Sequence, residues 1–226
     1  CAGLALLGTL RADPVDLEGA DLRVEAAGDL AADGYVNTAD AAATLTLAFD
    51  DDVAALPSLS GSIRLVKLGA GTVTFPEARA YTGGTVVSNG FLAAAEPAWL
   101  GAEDGAITLA GGGLSFGRTT GEAIKLLRAV TVAAGTTGTL RNAAGGDQLD
   151  FGNSYVSFKN ATLRLARVGD ETKTAAFNIA RTGSSSWQGN GLATGGTLDV
   201  GPGTTLGVWE GDVFGGANHQ TDITLV

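Results

Sequence analysis

The sequence predicts an all-β chain wound as a solenoid of short stacked strands, with a β-sandwich or jelly roll as the competing arrangement. Three observations carry this. Apolar and polar residues alternate in short runs from end to end, glycine separates the runs, and no long stretch keeps the 3.6-residue period of a helix. Glycine supplies 35 of 226 residues and aromatic residues only 6%. Many tight corners and few bulky plugs favour stacked coils over two facing sheets.

The runs follow in chain order. Thr44-Leu45-Thr46-Leu47, Ser62-Ile63-Arg64-Leu65 and Thr72-Val73-Thr74-Phe75 come first; Ile107-Thr108-Leu109, Val130-Thr131-Val132 and Tyr155-Val156-Ser157-Phe158 follow. Thr162-Leu163-Arg164-Leu165, Phe177-Asn178-Ile179, Thr197-Leu198-Asp199-Val200 and Ile223-Thr224-Leu225 complete the series. Each has the period of two that half-buries a strand, and each is rich in residues that suit a pleated surface. Between them lie Gly69-Ala70-Gly71, Gly83-Gly84, Asn89-Gly90, Gly111-Gly112-Gly113, Gly145-Gly146, Gly195-Gly196, Gly201-Pro202-Gly203 and Gly215-Gly216. These are turn signals. Residues 14–32 and 121–127 come nearest to helical periodicity but are short or interrupted by glycine, so strands or capping segments are expected there.

Internal similarity points the same way. Residues 85–92, 130–137 and 198–206 each read as strand, glycine turn, strand, at irregular spacing. A coil of about 20 residues per rung would give about ten rungs and a rod of roughly 48 Å.

Composition bounds the chemistry. Lys and Arg number 14 against 24 Asp and Glu, a net charge of −10. Nucleic acid and anionic membrane surfaces are therefore poor partners. Hydrophobic content of 45% excludes a disordered tail. No run reaches the 18 or so apolar residues of a membrane span, so no membrane insertion of this segment is expected. The single cysteine, Cys1, cannot form an internal disulfide, and no Cys/His cluster suggests zinc.

Residues 1–12 are read as a signal-peptide remnant or capping strand, and 13–226 as the coiled segment. Apolar Cys1 to Leu10 followed by Arg11-Ala12 suggests cleavage after Ala12, although Leu10 is not the usual small residue; a lipidated Cys1 is the alternative. With no methionine in the chain, residue 1 is not expected to be an initiator, and the bare strand pattern at Asp222 to Val226 leads one to expect that the natural protein continues beyond Val226.

One stretch is more specific. Ile63-Arg64-Leu65-Val66-Lys67-Leu68-Gly69-Ala70-Gly71-Thr72-Val73-Thr74-Phe75, then Ala80-Tyr81-Thr82-Gly83-Gly84-Thr85-Val86-Val87-Ser88-Asn89-Gly90-Phe91-Leu92, closely resembles the autotransporter-associated β-strand repeat. The signature at 63–92 is carried by Lys67, Gly69, Gly71, Thr72, Tyr81, Thr82, Gly83, Gly84, Thr85 and Gly90. The resemblance implies a right-handed single-stranded parallel β-helix belonging to a longer exported passenger, secreted or displayed outside the bacterial outer membrane. It implies a structural or adhesin-like role without catalysis, with no cofactor and with host or matrix glycans or surface proteins as partners. The membrane β-barrel that ends such proteins has no counterpart in these residues.

The rivals are weaker. A β-helix polysaccharide lyase or glycoside hydrolase needs paired carboxylates or a cation and a base. Asp40, Asp50 and Asp51 are the candidates, but the His-Gly and Arg-x-Lys elements of such enzymes are missing and the sole histidine is His219. Gly145-Gly146-Asp147-Gln148-Leu149-Asp150 approaches a calcium-binding nonapeptide, with Gln148 where glycine is required and no stacked second copy. No G-x-S-x-G or phosphate-binding loop occurs. Among the aromatic residues, Trp99, Trp187, Trp209, Tyr35, Tyr81 and Tyr155 could stack on a partner, with Trp187 and Tyr81 the candidate surface contacts. Open coil ends further predict end-to-end self-association, and hence a filament subunit as a third reading.

Overall fold

In the computed structural model, residues 13–126, 128–150, 156–180, 196–209 and 223–225 are described. The chain coils so that each strand pairs with the strand one turn earlier and one turn later, and every pairing is parallel. Parallel pairing in register throughout excludes the sandwich and jelly roll, which are built from antiparallel strands.

Two sides run the length of the coil as seven-stranded sheets. The first contains Leu22–Val24, Ala43–Leu47, Ile63–Lys67, Thr85–Val87, Ile107–Leu109, Val130–Val132 and Val156–Ser157. The second contains Thr72–Phe75, Phe91–Ala94, Gly113–Phe116, Thr137–Ala143, Thr162–Val168, Gly196–Val200 and Ile223–Leu225. The third side is split. Val15–Asp16, Tyr35–Asn37, Leu59–Gly61 and Ala80–Tyr81 form one four-stranded sheet; Ile124–Lys125, Leu149–Asp150, Ala175–Ala180 and Thr204–Trp209 form another. Between them, the next turn passes through the 3-10 segment Pro97–Trp99 instead of a strand. Residues 14–32 hold two short strands and the 3-10 turn Ala27–Asp29, as the weak periodicity led one to expect.

Alternation within each strand sets what is inside. Ala43–Leu47 reads buried, half-buried, buried, half-buried, buried, and Val130–Val132 and Ile107–Leu109 follow the same rule. Stacking the rungs aligns the inward residues into columns, so that Leu45 sits between Leu22 and Leu65, and Leu92 between Val73 and Leu114. One column alternates size, Phe75 to Ala94 to Phe116, which fills the interior without overpacking.

The rod is shorter than the uniform 20-residue rung implies. Leu45, Leu65 and Thr85 stand 20 positions apart in register, but Arg164 and its register partner Asp199 stand 35 apart. The later turns include longer strands, Thr137–Ala143 and Thr162–Val168. Among the described residues, the seven strands of each long side make six steps of stacking, about 29 Å at the usual 4.8 Å between strands, in place of ten rungs.

Candidate functional site

The corners of the two rungs spanning residues 59–94 carry a concentration of polar structure. Lys67 occupies an inward position of its strand, in the column between Leu47 and Val87, and is 0% exposed. A buried ammonium requires compensation. Its Nζ donates to the carbonyl of Gly69 and lies 6.0 Å from the centroid of the Phe49 ring. Burial pushes its pKa down, opposed by the carboxylates of Asp50 and Asp52.

Those carboxylates secure the rung above. Asp50 Oδ1 accepts the Ala70 N–H at 2.6 Å, and Asp52 Oδ1 accepts the Thr72 N–H at 2.6 Å. The same device recurs one turn earlier, where Asp21 Oδ1 takes the Thr44 N–H at 2.8 Å. Such bonds satisfy backbone donors that the strand ladder leaves open at a corner. Asp40 and Asp51 are exposed on corner loops. The three carboxylates considered for sugar cleavage thus fall on turns where one of them, Asp50, already serves the coil.

Glycine is required at these corners by contact. A Cβ on Gly69 would lie 1.7 Å from the Phe49 carbonyl oxygen, and one on Gly71 would lie 2.3 Å from that of Asp51. Backbone of the preceding turn occupies the space that a side chain needs.

Tyr81 closes the opposite corner. Expected as a surface contact, it is instead 1% exposed, with its hydroxyl 2.7 Å from Thr85 Oγ1 and its ring under Gly101. Its two-residue strand turns it inward, and no ring face is left for a partner. Burial pushes its phenol pKa up to about 12, against the lowering effects of Thr85 and Arg128. Arg128 seals the same corner through bonds to the carbonyls of Leu100 and Gly101 at 2.6 and 3.0 Å.

The other aromatic candidates divide. Tyr35 is buried and accepts the Ala31 N–H at 2.9 Å. Trp99 is half-buried against the core in the Pro97–Trp99 turn. The backbone of Trp209 ends a strand. Trp187, Tyr155, His219 and Cys1 lie outside the described residues.

The calcium-like segment has another use. Asp147 is buried, and its carboxylate accepts from Thr120 N at 2.8 Å, Thr120 Oγ1 at 2.9 Å, Gly121 N at 2.7 Å and Arg118 Nε at 3.1 Å. Its burial raises the pKa, but these donors outweigh that and hold it at about 2. Arg118 also reaches Glu96 Oε1 at 2.6 Å. With four donors already on it, this carboxylate has little left for a cation. Among the described residues, no group of three His, Cys, Asp or Glu is placed to hold a metal, and no helix is long and apolar enough to cross a membrane.

Sequence reasoning missed one outward feature. Arg141 places its guanidinium carbon 3.3 Å from the centroid of the Phe91 ring, two rungs away on the second side. Only the strand register, Phe91 to Gly113 to Thr139, makes them neighbours.

Comparison with known proteins singles out the same stretch. Residues 65–94 match the family model of the passenger-associated-transport-repeat. Matches are found neither among curated proteins nor among solved structures.

Proposed function

Starting from the passenger repeat at 65–94, we propose that this chain is a length of the rod in an exported autotransporter-type passenger, acting as stalk and display surface without catalysis. The observation that carries the reading is how the repeat's residues are used. Lys67, Gly69, Gly71, Tyr81 and Thr85 all bond or pack within the coil, and none presents a reactive group outward. A motif so used specifies a stackable rung. The stacked sides then carry alternating outward residues to which partners attach, which is an adhesin-like role outside the cell.

The test is surface labelling. Antibodies raised against residues 13–226 should label intact cells expressing the whole reading frame, and external protease should remove the signal. Antigen seen only after permeabilisation would overturn export. Turnover of a glycan by the purified chain, lost when Asp40, Asp50 and Asp51 are together changed to Asn, would overturn the non-catalytic role in favour of the enzyme.

A further inference from the structure

The second side carries an arginine with no carboxylate partner on an otherwise hydroxyl-rich surface. Phe91 faces outward on its strand, and its ring lies over Gly113, where a Cβ would stand 2.6 Å from ring carbon Cε1. Arg141 packs against that ring at 3.3 Å from its centroid. The pair is a cation–π stack that fixes a long side chain in place. Burial lowers the Arg141 pKa, as the loss of water around a packed guanidinium requires.

What the stack leaves open matters more. Among the described residues, Arg141 forms no ion pair and no hydrogen bond, in contrast to Arg118, Arg164 and Arg79. Its register neighbours are Ser115 on one rung and Ala166 on the next. Arg164, diagonal to it by one rung and two residues, holds Asp199 through Nε at 2.5 Å, and Asp199 is the side's nearby carboxylate. Four residues back along the strands, about 13 Å from Arg141 at the usual rise per residue, Thr137, Thr162 and Thr197 are aligned on consecutive rungs. On a chain of net charge −10, this is a local positive site with hydroxyls repeating about every 4.8 Å along the rod.

We propose that the Phe91–Arg141 stack and the threonine ladder four residues along the same face bind a carboxylated linear polysaccharide, with a uronate carboxylate received by the Arg141 fork and sugars further along the polymer reaching the threonines. A planar guanidinium held on an aromatic ring meets a carboxylate with two parallel N–H bonds. The threonine hydroxyls, which donate and accept, match sugar hydroxyls. A protein partner is disfavoured because the surface lacks the buried apolar centre on which such interfaces depend. The proposal rests on the display role only in requiring this side to face outward, and the experiment below uses the purified chain, so export and binding fail separately.

The probe is polygalacturonate in a calorimetric or surface-binding assay with the 226-residue chain, against methyl-esterified polymer, dextran sulfate and poly-glutamate. Binding to polygalacturonate alone is expected, weakened about tenfold or more by Arg141→Ala and by Arg141→Gln, and unchanged by Arg23→Ala on the first side. Phe91→Leu, which removes the stacking face, should weaken it in the same direction. Melting curves establish that each variant is folded, and competition by free galacturonate on the unaltered chain tests the site without any substitution. Absence of binding, equal binding by a folded Arg141→Ala variant, or equal binding of dextran sulfate would overturn the proposal. Preference for poly-glutamate would overturn it in favour of an acidic protein partner.

Discussion

The hydroxyl of Tyr81 lies 2.7 Å from Oγ1 of Thr85 inside the coil, joining the end of one side to the start of the next. Both residues are nearly fully buried, at 1% and 3% exposure. Removing either oxygen leaves the other without a partner in a low-dielectric interior. Tyr81→Phe should therefore cost about 1–3 kcal/mol, and Thr85→Val a similar amount. The double variant should cost less than the sum of the two, because the shared bond is lost only once. Urea melts of the four proteins measure this coupling.

Glycine substitutions should separate contact from mere flexibility. Gly69→Ala drives a methyl group into the Phe49 carbonyl, while Gly28, in the Ala27–Asp29 turn, has open space around the added carbon. A loss of about 3 kcal/mol is expected for Gly69→Ala, lowering the melting temperature by roughly 6–12 °C. Gly28→Ala should stay within about 0.5 kcal/mol of the parent. Differential scanning calorimetry distinguishes the two.

Lys67 presents a buried cation whose stem fills an interior leucine-like position. Lys67→Ala loses both the stem and the bond to the Gly69 carbonyl, and should cost about 2–4 kcal/mol. Lys67→Met keeps the packing and avoids burying charge, so its cost should be about 1 kcal/mol or less. A loss for Met as large as that for Ala would mean that the ammonium, rather than its stem, holds the corner.

Acid should act through Asp147. Its folded-state pKa is about 2, below the ordinary value of 3.8, so the ionised form is preferred in the folded chain. The stability contributed is therefore fully present above about pH 4 and is lost as pH falls towards 2. Asp16 and Asp170, held low chiefly by the hydroxyls of Thr38 and Thr172, act in the same direction. Asp147→Asn should flatten the acid limb of a stability-versus-pH curve, and direct titration of the carboxyl by NMR should give a midpoint near 2.

The coil was legible where rungs are short and alternation is strict. Residues 63–92 announced their turns because Gly69, Gly71, Gly83 and Gly90 stand where backbone from the preceding turn passes close by, and Leu45, Leu65 and Thr85 recur at 20-residue spacing. Elsewhere the signal thins. A two-residue strand such as Ala80–Tyr81 gives no alternation from which to judge which residue points inward, so Tyr81 was expected outside. The split of the third side depends on a 3-10 turn at Pro97–Trp99 that has no period of two. Arg118 and Asp147 stand 29 positions apart, and Phe91 and Arg141 are further separated, so only the pairing register brings them together.

The central claim is the stacked register, and distance measurement tests it most directly. On the first side Thr46, Val66, Val86, Thr108, Thr131 and Ser157 occupy one outward column on consecutive rungs. With Cys1→Ser removing the native thiol, spin labels on Thr46→Cys paired with Thr131→Cys should report a backbone separation of about 19 Å. Moving the second label to Ser157→Cys should add one rung, giving about 24 Å. A fixed increment of about 5 Å per rung is the result that parallel stacking predicts; separations that do not grow with rung number would contradict the solenoid.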